Sequence, residues 1–193
     1  MSMALFRKNY EGKTDEELMS LLVKSEQSAF DELYKRYSKP LLNFFFRMLN
    51  CEREKAEDFL HDLFLKIIEK PGSFDHSRRF NTWFYTLAGN MVKNEYRNLQ
   101  VRNEHNRFLG EQQAETIEYS RENIDKELFE KYLQIEIDKL DVETKTLFNL
   151  RFTEEMSVKE IAEVMECPEG TIKSRLHYLS KHLSKKLSVF KTE

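Results

Sequence analysis

Lysine and arginine occur six times between residues 171 and 191, with no aspartate or glutamate among them. Clustered cations suit phosphate contacts, while hydroxyl, imidazole and phenol groups beside them can reach base edges in a groove. Lys173, Ser174, Arg175, His177, Tyr178 and Lys181 are the candidate contacts. The preceding residues 154–169 are the converse, six acids against one lysine. A second candidate lies in residues 74–97, where Trp83, Tyr85 and Tyr96 are interleaved with Arg78, Arg79, Lys93 and Arg97 and with the amides Asn81, Asn90 and Asn94. Aromatics among cations suit single-stranded DNA, since a stacked base contributes about 1–3 kcal/mol and the cations follow the phosphates. Phe80, Phe84 and Leu87 read as core. Trp83 fits core and strand contact equally well, and Asn90 has an amide that can read a base edge.

The chemistry of catalysis is not written in this way. No glycine-rich phosphate loop, nucleophile elbow or paired-histidine zinc motif occurs. His61 and Asp62 are neighbours, which on a helix point about 100° apart, and Glu57 with His61 reads as a solvated helix pair. Cys51 and Cys167 stand alone in their neighbourhoods, so packing roles are expected, with no disulfide, metal or other cofactor. A non-enzyme follows from these observations.

The elements that must position the two basic stretches are helical. Ser157 and Glu160 form a capping box, Pro168 suits a first helical turn, and Ile172, Leu176, Leu179, Leu183 and Leu187 make one apolar stripe. This predicts two short helices and a tight turn, a helix-turn-helix whose second helix enters a major groove. A plain helical hairpin with a solvated basic face is the alternative. Upstream, Thr14 and Glu17 form another capping box; a long helix carrying Phe30, Leu33, Tyr37, Leu41, Phe44 and Met48 should kink or break at Pro40. A third helix carries Ala56, Leu60, Leu63 and Ile67 and stops before Pro71-Gly72; a fourth runs over residues 80–98. Residues 99–127 are polar and weakly periodic, a linker, and periodicity returns over 128–190. The expected fold is therefore all-α: two small helical domains, 14–98 and 128–190, joined by a polar linker.

Five glycines and three prolines in 193 residues leave little for hairpins, in keeping with helices throughout. No apolar run is long enough to span a bilayer and no export signal opens the chain, which predicts a cytoplasmic protein. The net charge is only -3, and it is unevenly spread: +2 over residues 28–98, -3 over 99–127 and -1 over 128–193. DNA would be held at two local patches, by a protein that needs a partner to bind tightly.

Taken together and in order, these stretches resemble the sigma factors of bacterial RNA polymerase, of the compact two-domain extracytoplasmic-function type. The resemblance lies in Thr14 to Leu18, Ala29 to Tyr37, Ala56 to Lys66, Phe80 to Phe84, Ala88 to Asn90 with Arg97, Glu160 to Glu163 and Gly170 to Leu176. It implies that Asp58, His61, Asp62 and Leu65 dock on the coiled coil of the β′ subunit of core polymerase. It implies that Arg78, Arg79, Trp83, Tyr85, Asn90, Lys93 and Arg97 hold melted DNA of the -10 element, with Asn90 in a loop or helix start capturing a flipped base. Lys173, Ser174, Arg175, His177, Tyr178 and Lys181 would read the -35 element. An anti-sigma protein is the implied inhibitory partner, alongside core polymerase and promoter DNA. His61 stands where the family more often has Gln, Gly89 for Arg, Asn94 for Asp, and Asp141 and Lys145 for Pro and Arg. Asp141 remains a good N-cap. Two rivals are a free-standing helix-turn-helix regulator, which the C-terminal half alone would allow, and a helical adaptor that binds protein only.

Overall fold

The computed structural model describes residues 10–106 and 126–190. Its helices are α1 (Asp15–Val23), α2 (Gln27–Met48), α3 (Arg53–Glu69), α4 (Phe80–Asn106), α5 (Lys126–Asp138), α6 (Val142–Phe148), α7 (Val158–Val164) and α8 (Glu169–Lys186). No strand occurs among the described residues. The all-α expectation holds. α4 runs on to Asn106, past the expected end at residue 98, so the first part of the expected linker is helix. The rest of that segment, residues 107–125, lies outside the described residues.

α1 starts where its capping box says it should: the Thr14 hydroxyl accepts from the Glu17 amide at 3.2 Å, and the Glu17 carboxylate accepts from the Thr14 amide at 2.9 Å. Arg36 then pins α1 to α2. Its Nη1 reaches Asp15 at 2.7 Å and the Lys13 carbonyl at 2.9 Å, while Nε meets Glu32 at 2.9 Å. α2 is not interrupted at Pro40. Its missing hydrogen bond is offset by the residues that follow, because Leu41, Phe44, Phe45 and Met48 are all fully buried and each such side chain contributes about 1.5–3 kcal/mol. α3 packs beside α2 through Leu63, Phe64 and Ile67. α4 closes this first half through Phe80 and Phe84, whose rings meet Tyr37 edge-on at 5.3 and 5.5 Å. Glu16 of α1 accepts the Phe80 amide at 2.9 Å, so the start of α4 is capped by a different helix.

The second half builds on Asp141, which accepts from the amides of Glu143 and Thr144, both at 3.0 Å, and caps α6 as expected. After α6 the chain makes one π turn, Asn149–Thr153, that leaves Asn149 and Leu150 inside. α7 opens on the expected capping box, with the Ser157 hydroxyl accepting from the Glu160 amide at 3.2 Å and donating to its carboxylate at 2.7 Å. Ile161, Ala162 and Val164 of α7 meet the buried Ile172 of α8, which completes the helix-turn-helix. Pro168 is the N-cap of α8, one residue earlier than its expected place in the first turn.

The two halves share one apolar core, whose members run from Tyr10 to Ile172. At the seam, Lys145 is 1% exposed, and its ammonium donates to Asp138 at 2.9 Å and to Asn50 at 3.3 Å. Of the cysteines, Cys167 is half-buried against the core as expected. Cys51 is instead exposed, in the turn after α2 with φ of 62°, because Leu49 and Met48 already fill the core there.

The α7 cap makes a quantitative test. Hydrogen bonds from the Ser157 hydroxyl and amide hold the Glu160 carboxyl below its ordinary value of 4.5. That contribution is fully present above pH 4.5 and is lost as pH falls through the lower folded value. Ser157→Ala should therefore cost about 1 kcal/mol in urea unfolding at pH 7, and the gap to the parent chain should narrow once the pH drops below 4.5.

Candidate nucleic-acid interface

α8 presents its basic face because its apolar stripe is anchored. Ile172, Leu179 and Leu183 are buried, and Leu176 and Leu187 are half-buried at the edge of the core. Lys173, Ser174, His177, Tyr178 and Lys181 all face solvent, as the periodicity requires. Lys173 lies 3.8 Å from Glu169 one turn back, an exposed pair that leaves the ammonium free to move. Arg175 differs from the others. It is half-buried and its Nη1 meets Glu143 of α6 at 3.1 Å.

The turn between α7 and α8 fixes the angle at which this face is shown. α7 ends in a Schellman motif, with the Cys167 amide bonded to the Ala162 carbonyl at 3.0 Å and the Glu166 amide to the Glu163 carbonyl at 3.4 Å. Its left-handed position, φ 53°, is held by Glu166 and not by glycine. Pro168 follows at once and prevents α7 from continuing.

On α4 the candidate residues separate. Asn90, Lys93 and Arg97 are exposed at spacings of three and four, so they share one outer face. Asn90 lies within the helix, not in a loop or at a helix start as expected, since α4 runs unbroken through Gly89. Arg79 is exposed and Arg78 half-buried just before the helix. Trp83 is core in this arrangement, 8% exposed, with its ring 5.1 Å from Phe74 and 5.7 Å from Phe80. Tyr85 is also buried, and its hydroxyl donates a short hydrogen bond to Glu154 from the other half of the chain. Burial and that carboxylate push the Tyr85 phenol up, and burial likewise pushes Glu154 up against the pull of Tyr85 and Arg47. Between the two basic faces lies a cleft of about 300 Å³, lined by Asn90 and Lys93 of α4, Glu143 of α6, Cys167 and Arg175.

Asp58, His61, Asp62 and Leu65 occupy a third surface. All four are exposed, and their spacing places them on one face of α3. Two residues missed in the sequence extend it: Ile68, one turn beyond Leu65, and Tyr34 of α2, whose ring packs on Phe64 at 4.8 Å yet stays exposed. The continued spacing from Leu65 to Ile68 was the available signal. Glu143 and Glu154 were missed as partners of Lys93 and Tyr85 in α4, and Glu160 as the partner of Arg79 just before it. For Glu154 and Glu160 the signal was the acidic bias of residues 154–169, which carries no information on what it faces; Glu143 lies outside that stretch and had none. Among the described residues no cluster suits a metal ion, and no helix is long and apolar enough to cross a membrane.

Residues 33–102 match the family model for sigma-70 region 2, and residues 131–183 that for sigma-70, region 4. The chain is 30% identical over 176 residues to the ECF RNA polymerase sigma factor SigW of Bacillus subtilis, covering 85% of this chain and 91% of that one. It is 29% identical over 172 residues to the ECF RNA polymerase sigma-E factor of Haemophilus influenzae, covering 84% and 89%. In fold it is similar to CnrH in complex with the cytosolic domain of CnrY, with a TM-score of 0.67 at 20% identity over 93% of this chain and 100% of that one. The sigma factor RpoE in complex with the anti-sigma factor NepR from Bartonella quintana gives 0.65 at 19%, over 84% and 98%.

The strained turn between the last two helices is testable without any ligand. Glu166→Gly removes the left-handed penalty of a side-chain-bearing residue, about 1–2 kcal/mol, against a smaller loss of chain entropy. Thermal unfolding should show a net gain of roughly 0.5–1 kcal/mol; a destabilised variant would show that this turn carries no strain.

Proposed function

Since the chain belongs to the extracytoplasmic-function type of RNA polymerase sigma factors, we propose how its surfaces divide the work of promoter recognition. As a sigma factor it joins core RNA polymerase and directs initiation at particular promoters. Sigma factors act as initiation factors, and we read this chain as having no catalytic role of its own. Its place of action is the cytoplasm, with the polymerase it serves.

The proposed units are residues 14–98, acting as region 2, and 128–190, acting as region 4, with 99–127 between them; the two matched ranges fall within or close to these limits. α8 reads the -35 element. Lys173, Ser174 and His177 meet base edges in the major groove, Tyr178 adds an exposed ring, and Arg175 and Lys181 meet phosphates. α4 holds the -10 element's non-template strand through Asn90, Lys93 and Arg97 with Arg78 and Arg79, and Asn90 takes a flipped base. Trp83 and Tyr85 join them when their packing loosens. Unstacking one base costs only a few kcal/mol, but a bubble costs about 1.4 kcal/mol per step, so polymerase must share the opening. The face of α3 with Asp58, His61, Asp62 and Leu65 docks on the β′ coiled coil. An anti-sigma protein is the proposed inhibitor, in keeping with the two complexes to which the fold is similar.

The observation that carries this reading is the pairing, in one chain, of an outward face on α8 that is free of acids from Thr171 onward with the exposed Asn90, Lys93 and Arg97 row on α4. A free-standing regulator would need the first face alone. Run-off transcription tests the difference: specific initiation should require added core enzyme, and Asp62→Arg should abolish pull-down of core while leaving the helical circular dichroism unchanged. Tight, sequence-specific duplex binding by the chain alone would refute the assignment.

Lys173→Ala tests the base-reading role of α8. Promoter-specific transcription should fall by an amount equivalent to about 1–3 kcal/mol, with relaxed choice at one or two -35 positions. An unchanged promoter profile would move the reading contacts elsewhere on the helix.

A further inference from the structure

Glycine is placed oddly in this chain. Among the described residues Ser25, Asn50, Cys51, Glu155 and Glu166 hold a left-handed backbone, with φ from 53° to 63°. Those are the positions at which glycine relieves strain. The described glycines stand elsewhere. Gly12 lies in a turn and Gly72 in the 3-10 turn Pro71–Ser73, while Gly89 and Gly170 lie inside α4 and α8, the two helices assigned to DNA.

Inside a helix glycine is destabilising relative to alanine, because it has more backbone freedom to lose. Nothing in the fold offsets this at Gly89. Its backbone is helical, and beyond its own helix backbone and chain neighbours a β-carbon there would meet no atom within 4 Å. Neither a turn nor a tight helix crossing calls for the missing side chain. What remains is the other use of glycine, a close approach of the backbone to a ligand.

The next residue identifies that ligand. Asn90 is the residue assigned to the flipped base of the -10 strand, and it is exposed. Side chains on a helix lean toward its N-terminus, so a base bonded to the Asn90 amide lies over the turn that precedes it. That turn carries Thr86 and Ala88, both buried, the half-buried Leu87, and Gly89. Lys93, one turn after Gly89 on the same side of the helix, is exposed and within reach of the strand's phosphates.

We propose that Gly89 is a positioning residue for the -10 strand: its bare backbone is the platform on which the flipped base taken by Asn90 lies. The inference rests on the assignment of Asn90 under the proposed function and names what supports the base once it is captured. In place of the Arg more usual in the family, the chain has no side chain here, so this nucleotide is held by contact rather than by an added charge.

The test uses holoenzyme assembled from core polymerase and the full chain, with a fluorescent forked promoter fragment whose -10 non-template strand is left unpaired. The fragment is taken from a start site mapped for this chain. Gly89→Ala should weaken binding of the fragment roughly tenfold by anisotropy, the loss of about one base contact. The same variant should raise the melting temperature of the free chain by about 1–4 °C. A role in the fold would move both readings downward. When the bases of the unpaired strand are replaced one at a time by abasic sites, the difference between Gly89→Ala and the parent should vanish at one position only. Unchanged binding, a lower melting temperature, or a loss that persists with every abasic fragment overturns the platform. Asn90→Ala separates the underlying assignment. If it binds every fragment as the parent does, the capture of a base by Asn90 is wrong; if it loses binding at one abasic-sensitive position while Gly89→Ala has no effect, only the platform fails.

Discussion

The structure depends on α4 being enclosed from all sides over one turn. Thr82, Trp83, Phe84, Tyr85 and Thr86 are five consecutive buried residues. At about 100° per residue they cover the whole circumference of a helix, so no solvent-facing stripe exists at that level. Phe84 looks toward α2 and α3, where it meets Tyr37 and Phe64, and Tyr85 looks toward Phe44 and across to Glu154. A helix with apolar demands on every side cannot be satisfied by one layer of neighbours. The second half supplies the missing layer, and with it the acids of the seam.

That enclosure explains which parts of the site were legible in the sequence. The α8 face was, since a stripe of leucines on one side and cations on the other is a local pattern that burial simply obeys. The exposed row on α3 was legible for the same reason, and both serine or threonine capping boxes marked helix starts to the residue. Trp83 and Tyr85 were not resolved, because helical periodicity assumes a wet side and residues 82–86 have none. Nor were Glu154 and Glu160 assignable to partners. Tyr85 and Glu154 are 69 residues apart, Arg79 and Glu160 81, and no local rule links positions at that separation.

Three places where local rules are broken are where the chain is steered. Pro40 within α2 sacrifices a backbone hydrogen bond, normally worth a break of about 3 kcal/mol, but the four residues buried after it make continuation cheaper than a new helix start. Glu166 accepts a left-handed backbone so that α8 can follow α7 after a minimal turn. The π turn after α6 is the third. Its widened backbone leaves Asn149 inside, bonded to the Lys145 carbonyl at 2.9 Å, and the Glu154 amide closes it onto the Asn149 carbonyl at 3.0 Å. An ordinary helical turn would rotate Glu154 away from Tyr85.

The weakly negative net charge then takes on a specific meaning. A chain with basic faces on α4 and α8 and a charge of -3 must carry its compensating acids somewhere, and charges left unpaired act on one another over about 10 Å at 0.1 M salt. Here Glu143, Glu154 and Glu160 sit against the cations they compensate. The charge balance is therefore local: Arg79 and Lys93 each face a carboxylate of the second half, and Glu143 lies against both Lys93 and Arg175.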